Sequence, residues 1–224
     1  MSVSEDRTVQ PSPTTPAPVS GIADPAPLGL AAFALTTFLL SAKNADWMSH
    51  ATGNAWLGYA LAYGGFIQLL AGMWEFRNRN VFGATAFASY GGFWIGLGLW
   101  VQLVVNPAVA AAKPATLAAT VTALNHDLGW ILLAFAIFNT YMLILSTQVN
   151  VAVFLVFLTL EITEIVLCIG NFNAGAALIP TGTIKIGGYI GLITALVAWY
   201  ASAAGVSNGV AGRLRFPVGK PLIS

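Results

Sequence analysis

Six apolar stretches separated by short polar segments make up most of the chain and predict membrane-spanning helices. Five of them approach the roughly 20 residues that a helix needs to cross the hydrocarbon core: 56–74, 82–105, 128–146, 151–169 and 186–204. The sixth, 28–41, is shorter but uncharged. Asp24 and Pro25 before it are typical of a helix N-terminus, and a start there lengthens it to about 18 residues. The pattern therefore predicts an all-α bundle of six transmembrane helices.

The two ends of the chain differ in composition from the apolar region between them. Residues 1–26 are rich in proline and small polar side chains. Such a segment buries too little apolar area to fold, so we expect a disordered tail. We expect residues 27–205 to form the transmembrane domain and residues 206–224 to form a cytoplasmic C-terminal tail.

The composition agrees with a membrane protein. Hydrophobic residues make up 57% of the chain and charged residues only 8%, against about 25% charged residues in soluble domains. Nine Lys and Arg residues nearly balance eight Asp and Glu residues, which argues against nucleic-acid binding. One cysteine, Cys168, and two histidines, His50 and His126, leave little material for a metal centre, and we expect no cofactor. The chain lacks nucleophile-elbow and phosphate-loop signatures, so an enzyme is not expected.

The distribution of Lys and Arg residues predicts the orientation. Alternation across six helices places six of these residues on the side that carries both termini: Arg7, Arg77, Arg79, Arg213, Arg215 and Lys220. The other side holds Lys43, Lys113 and Lys185. Since cytoplasmic loops carry the excess of cations, both termini are predicted to be cytoplasmic in a multi-pass protein of the cell membrane.

Glutamates at membrane depth are the most prominent candidates for function. Glu161 and Glu164 lie three residues apart within 151–169, on one helical face. Two buried charges would repel each other, so at least one of the pair is expected to be protonated. They form either a proton-accepting or cation-attracting element beside a solute path, or a pair of neutral acids that bond across a helix interface. Glu75 is expected at a helix end or in an interfacial ion pair with Arg77 or Arg79.

Several uncharged polar residues also fall inside the predicted spans. Thr36 and Thr37 lie in the first, Gln68 in the second and Asn139 in the fourth. A single such side chain usually bonds to a neighbouring helix, whereas several from different helices would line a wet passage. Both interpretations remain open from the residues alone.

Glycines in three of the spans predict close approach between helices. They lie in the second, third and sixth spans: Gly64, Gly65 and Gly72; Gly92 and Gly96; and Gly187 and Gly191.

Several motifs together resemble the acetate uptake transporter family, which includes the succinate–acetate permeases. The segment 24–30 resembles the Asn-Pro-Ala-Pro-Leu-Gly-Leu signature of that family, and 82–91 is similar to its third-helix motif. The segments 71–75, 187–189 and 198–200 are also similar to parts of the family. The resemblance therefore covers all six predicted spans.

The resemblance implies a six-helix protomer with a central solute path, assembled as a homo-hexamer in lipid. It implies proton-linked or channel-like movement of acetate and related small monocarboxylates, and in some members succinate. Phe33, Tyr90 and Leu160 would form the constriction of that path. The substrate site and mouth would contain the residues of the signature and the polar residues beyond it: Asp24, Pro25, Pro27, Leu28, Gly29, Thr36, Thr37 and Gln68.

The chain departs from the family pattern at two places. Asp24 replaces the first Asn of the signature, and an acidic side chain there repels a carboxylate unless it is protonated or caps the helix. Glu161 and Glu164 stand where neutral residues are expected. If they face the path, they favour passage of the neutral acid or coupled protons.

Two other functions are compatible with the sequence. A channel for ammonia, ammonium or another small solute fits the added acidic residues, and the family has been linked to ammonium export. A non-transporting membrane scaffold would use the proline-rich tail as a docking segment.

Overall fold

Every regular element in the computed structural model, which describes residues 21–49 and 54–223, is helical. Six helical runs follow one another: α1 (Ala26–Asn44), α2 (55–77), α3 (Val81–Ala111), α4 (Pro114–Ser146), α5 (Val151–Phe172) and α6 (Gly182–Ala211). All except α2 are long and apolar enough to cross a membrane, and α3 contains a π segment at Val101–Val105. The prediction of an all-α integral membrane protein is confirmed.

The described residues also bear on the predicted ends of the chain. Residues 1–20 of the predicted tail, and His50, lie outside the described residues. The first helix begins at Ala26, inside the segment assigned to the tail.

The helix α2 is interrupted in its middle. It consists of Ala55–Tyr59 in α form, Ala60–Ile67 in π form and Gln68–Arg77 in α form. The π turn faces α1, where the Thr36 hydroxyl lies 3.1 Å from the Ala32 carbonyl oxygen and 3.4 Å from that of Tyr59. A π turn frees backbone carbonyls, so a hydroxyl from the neighbouring helix can compensate for the irregularity.

The helices extend beyond the predicted spans, most of all α4. It begins at Pro114 rather than near 128, because Pro114 suits the first helical turn and Asn125, His126 and Asp127 are tolerated within the helix. Its 33 residues correspond to about 50 Å, more than the hydrocarbon core of about 30 Å. Hydropathy detects only the part of such a helix that lies in lipid.

The helices pack as two groups joined through α1. One group is α2 with α3, and the other is α4, α5 and α6 packed in sequence. The first helix contacts α6, α2 and α3, whereas the backbones of α3 and α4 approach each other at few positions. Large side chains bridge α3 and α4 near the middle of the bundle, and the separation of the two backbones leaves room for a cavity between them.

Glycines allow close helix contacts at several of the predicted positions. A Cβ atom added at Gly72 in α2 would lie 2.6 Å from the backbone nitrogen of Ala88 in α3. One added at Gly191 in α6 would overlap the Ser41 hydroxyl of α1. A side chain at either position would force the helices apart.

The predicted packing role of Gly92 and Gly96 is wrong within the described residues. A Cβ atom added at either position would meet nothing within 4 Å, and both residues are exposed. The spacing of two glycines does not reveal which helix face they occupy, and these two lie on the outer face of α3.

The C-terminal segment folds back onto the bundle. The sixth helix continues to Ala211, beyond the predicted boundary at 205, and Gly212 ends it in a left-handed conformation with φ of 61°. The Val218 carbonyl then accepts a bond of 2.9 Å from the Ala152 N–H at the start of α5. The Tyr200 hydroxyl donates to the Pro217 carbonyl at 2.7 Å. These bonds hold the segment against α5 and α6.

We expect Gly72→Ala to lower the free energy of unfolding by about 1–3 kcal/mol, because the added methyl group presses on the α3 backbone. Gly92→Ala is the matched control, since its methyl group meets open space and alanine favours the helix. Thermal unfolding of the purified protein in detergent measures both. Equal melting temperatures for the two variants would contradict the packing contact.

Candidate functional site

Three residues from three helices meet in the centre of the bundle. Phe33 of α1, Tyr90 of α3 and Leu160 of α5 belong to one buried cluster, and they are 4%, 3% and 6% exposed. The Phe33 and Tyr90 rings pack edge to face, with centroids 5.8 Å apart. The structure thus brings together the three residues that the resemblance assigned to a constriction.

Further aromatic rings surround Tyr90 and complete this central cluster. The ring centroids of Phe93, Phe135 and Phe138 lie 6.2, 5.8 and 5.6 Å from that of Tyr90. Phe93 and Phe135 are closer still, at 4.6 Å. Together the rings form an apolar barrier, and the Tyr90 hydroxyl places a polar group within it.

The Tyr90 hydroxyl joins a buried polar network. Its oxygen lies 3.0 Å from Asn139 Oδ1 in α4 and 3.2 Å from Glu164 Oε1 in α5. A phenol carries one hydrogen, so Tyr90 donates to only one of these acceptors at a time. The other carboxyl oxygen of Glu164 has no hydrogen-bond partner within the described residues, and the side chain is 4% exposed.

The two glutamates of α5 differ in their surroundings. Glu161 is half-buried, and its oxygens accept bonds from Asn139 Nδ2 at 2.7 Å and from the Thr140 hydroxyl at 2.8 Å. Asn139 Nδ2 also lies 3.0 Å from the Phe157 carbonyl oxygen. Glu161 is therefore fully bonded at the α4–α5 interface, whereas Glu164 projects into the interior with one oxygen unpaired.

Asn139 is the centre of this network, and sequence reasoning had not connected it with the glutamates. An amide in the middle of an apolar span was the available signal. Its partners lie on α3 and α5, so their identity required the packing of three helices.

The start of α1 shows what Asp24 does locally. Asp24 is exposed, and its Oδ1 accepts a bond of 3.0 Å from the Ala26 N–H. Pro25 is buried and occupies the N-cap position, so the helix begins one residue later than Asp24 and Pro25 suggested. From its position before the N-cap, the carboxylate bonds the N–H of the first helical residue, so Asp24 supports the start of α1 without being its N-cap.

The rest of the signature docks α1 onto its neighbours. The Pro27 carbonyl accepts a bond of 2.6 Å from Ser202 of α6. A Cβ atom at Gly29 would lie 2.7 Å from the Phe87 ring of α3, so only glycine allows this contact. Leu28 is 48% exposed.

Thr36, Thr37 and Gln68 are all buried. Thr36 bonds at the π turn of α2, as described above. Thr37 Oγ1 and Gln68 Oε1 have no hydrogen-bond partner within the described residues. None of the three lines the cavity between α3 and α4.

Glu75 is the last acidic residue of α2, as expected for a helix end, but its predicted ion pair with Arg77 or Arg79 does not form. Its side chain is fully buried, and the Asn78 amide lies 3.4 Å from Oε2. The ion pair found among the described residues joins Lys185 and Asp46.

A cavity of about 550 Å³, here called the vestibule, opens between the two helix groups at the end of the bundle opposite the start of α1 and the end of α6. Its walls come mainly from α1, α3, α4 and α5. Phe93 lies on its wall and also contacts Tyr90, so the ring separates the vestibule from the central cluster. Sequence reasoning missed this cavity because it arises from the separation of α3 and α4.

Comparisons with known proteins point to one family. A model described as the GPR1/FUN34/yaaH family matches residues 6–220. Acetate permease A of Emericella nidulans is 41% identical, with 83% of this chain and 62% of that protein covered. Ammonia transport outward protein 2 of Saccharomyces cerevisiae is 38% identical, with 86% and 64% covered. The chain thus spans less than two thirds of the length of these fungal relatives.

Bacterial relatives are similar over nearly their whole length. The succinate-acetate/proton symporter SatP of Escherichia coli K12 is 33% identical, with 89% of this chain and 96% of that protein covered. The solved structure of the bacterial acetate channel SatP matches with a TM-score of 0.73 and 32% identity. The match covers 88% of this chain and 99% of that chain.

We expect Tyr90→Phe to lower the free energy of unfolding by about 1 kcal/mol, because it leaves buried acceptors of Asn139 and Glu164 without a donor. Tyr141→Phe is the control, since that side chain is half-exposed and its hydroxyl makes no hydrogen bond within the described residues. Thermal unfolding in detergent compares the two. A Tyr90→Phe protein as stable as the control would contradict the network.

Proposed function

The chain belongs to the GPR1/FUN34/yaaH family, and we propose that it carries acetate and related small monocarboxylates, and also succinate, across the cell membrane. The names of the permease, the symporter and the bacterial channel reported above support this proposal. The relatives support transport rather than catalysis.

The meeting of Phe33, Tyr90 and Leu160 at the centre of one protomer is the observation that carries the proposal. A bare carboxylate in an apolar constriction faces a large desolvation cost, whereas the neutral acid faces far less. Phe33 and Leu160 limit the width of the path, and the Tyr90 hydroxyl bonds the carboxyl group of the solute. Displacement of the rings opens the constriction, and their return excludes water from it.

In this proposal, Glu164 holds the proton that accompanies the solute. When Glu164 is protonated, it donates to the Tyr90 oxygen and Tyr90 donates to Asn139. When Glu164 is ionised, Tyr90 donates to it instead, and Asn139 Oδ1 becomes free to accept a bond from the carboxyl group of the solute. The distances of 3.0 and 3.2 Å allow both arrangements without movement of the backbone.

The same proposal gives the start of α1 a place at the mouth of the path. Asp24, Pro25, Pro27, Leu28 and Gly29 border the mouth at the end that carries the termini. Thr36, Thr37 and Gln68 would supply polar contacts further in. The bond that Asp24 accepts from the Ala26 N–H supports a structural role for its carboxylate at the start of α1.

Orientation and assembly belong to the proposal as well. The excess of Lys and Arg residues on the side of the termini supports cytoplasmic termini. A homo-hexamer would cover part of the apolar surface that one protomer exposes, which includes Phe66, Leu103 and Ile193.

Ammonia or ammonium is the second candidate solute. The name of the Saccharomyces cerevisiae relative supports it, and so do the acidic side chains of α5. The apolar barrier would exclude the ammonium ion and pass neutral ammonia. The two candidate functions therefore differ in the solute that crosses the membrane.

The direct test is uptake of radiolabelled acetate into liposomes that contain the purified protein, with and without an inward proton gradient. We expect uptake above that of empty liposomes, and greater uptake with the gradient. Uptake that stops when the acetate concentrations inside and outside are equal, and that does not depend on the proton gradient, would indicate a channel. Absence of acetate flux from folded protein, together with flux of methylamine, would favour the second candidate.

We expect Glu164→Gln to abolish stimulation of acetate uptake by the proton gradient, because glutamine cannot release a proton. Glu161→Gln is the matched control on the same helix face, and we expect it to retain stimulation because each Glu161 oxygen already accepts a bond from α4, whereas Glu164 has an unpaired oxygen. The measurement is the ratio of the initial rate of acetate uptake with the proton gradient to the initial rate without it. If only Glu161→Gln loses stimulation by the gradient, Glu161 rather than Glu164 carries the proton, and the proposal is wrong.

A further inference from the structure

The vestibule has an uneven charge distribution. Among the described residues that line it, Lys43 of α1 is the only charged side chain. Polar amides such as Asn54, Asn125 and Asn171 lie around it, and the deeper wall is apolar. A single cation in a cavity with apolar walls acts on solutes more strongly than the same charge on an open surface.

The structure holds Lys43 in place without neutralising it. Its Nζ lies 3.2 Å from Asn54 Oδ1 and 5.5 Å from the centroid of the Trp56 ring. Both contacts orient an ammonium group, but neither supplies a negative charge. At the same end of the bundle, Lys185 is paired with Asp46, so its charge is compensated. Lys43 therefore retains donors for an anionic ligand.

The apolar wall complements this charge. Leu97, Leu128, Leu132 and Leu167 line the vestibule together with Phe93. A small carboxylate has one charged end and one apolar end, and the vestibule presents a partner for each. The indole nitrogen of Trp56, which is buried in the same wall, has no hydrogen-bond partner within the described residues.

From this arrangement we propose that the vestibule is a capture site for the anion of a small monocarboxylic acid, with the carboxylate on Lys43 and the alkyl group on the leucine wall. This inference rests on the proposed transport function and assigns the solute a first binding position. The captured solute then leaves Lys43 and enters the central cluster at the contact between Phe93 and Phe135. The same charge repels ammonium ions, so the vestibule favours anions.

The experiment measures acetate uptake as a function of concentration for Lys43 variants in proteoliposomes. We expect Lys43→Gln to raise KM by about tenfold with the maximal rate unchanged, because one charge-assisted hydrogen bond is lost at the capture site. Lys43→Arg restores a KM close to that of the unaltered protein. Lys113→Gln removes the same charge from an exposed position at the same end of the bundle and leaves KM unchanged.

Saturation-transfer NMR with acetate and the purified proteins tests the capture site independently of transport. We expect a signal from the unaltered protein that weakens severalfold in Lys43→Gln and persists in Lys113→Gln. If the unaltered protein carries no acetate but gives this pattern, the transport proposal fails and the capture site stands. If it carries acetate and Lys43→Gln changes neither KM nor the NMR signal, or if Lys113→Gln has the same effect, the capture site is overturned.

Discussion

Hydrocarbon supplies no hydrogen-bond partners, and this constraint shapes every level of the structure. It requires the backbone to bond within helices, which is why all regular structure in residues 21–49 and 54–223 is helical. It also drives polar side chains inward, toward one another. Thr36 bonds at the irregular turn of α2, and Asn139 joins α4 to α3 and α5. The polar interior that a solute path needs is therefore a consequence of the solvent outside the bundle.

The polar network around Tyr90 is small and incompletely satisfied, and this suits transport better than stability. A fully paired network would hold the three helices rigidly. Here one phenolic hydrogen lies between two acceptors, and Glu164 keeps an unpaired oxygen. The proposed proton transfer uses the two arrangements that these distances allow, with Tyr90 donating either to Asn139 or to Glu164. The apolar rings around Tyr90 shield this network from bulk water.

The division of the bundle into two helix groups accounts for the vestibule. Close contacts at glycines such as Gly72 fix α2 against α3, while α4, α5 and α6 pack in sequence. Because the backbones of α3 and α4 are held apart and meet mainly through large side chains, a cavity remains between them and ends at Phe93. Lys43 lies in that cavity because α1 contacts both groups. In the proposed transport, the vestibule is the entry, Phe33, Tyr90 and Leu160 form the constriction, and Glu164 holds the proton.

The sequence by itself determined the membrane environment, the helical class and the approximate position of each span, because hydrophobic composition depends on residue type alone. It also singled out Glu161 and Glu164 as polar groups at membrane depth. Their different surroundings, the hub position of Asn139 and the exposed face of Gly92 and Gly96 were decided by tertiary structure. These properties depend on which helix face meets which neighbour, and an i,i+3 or i,i+4 spacing defines a face without naming its partner.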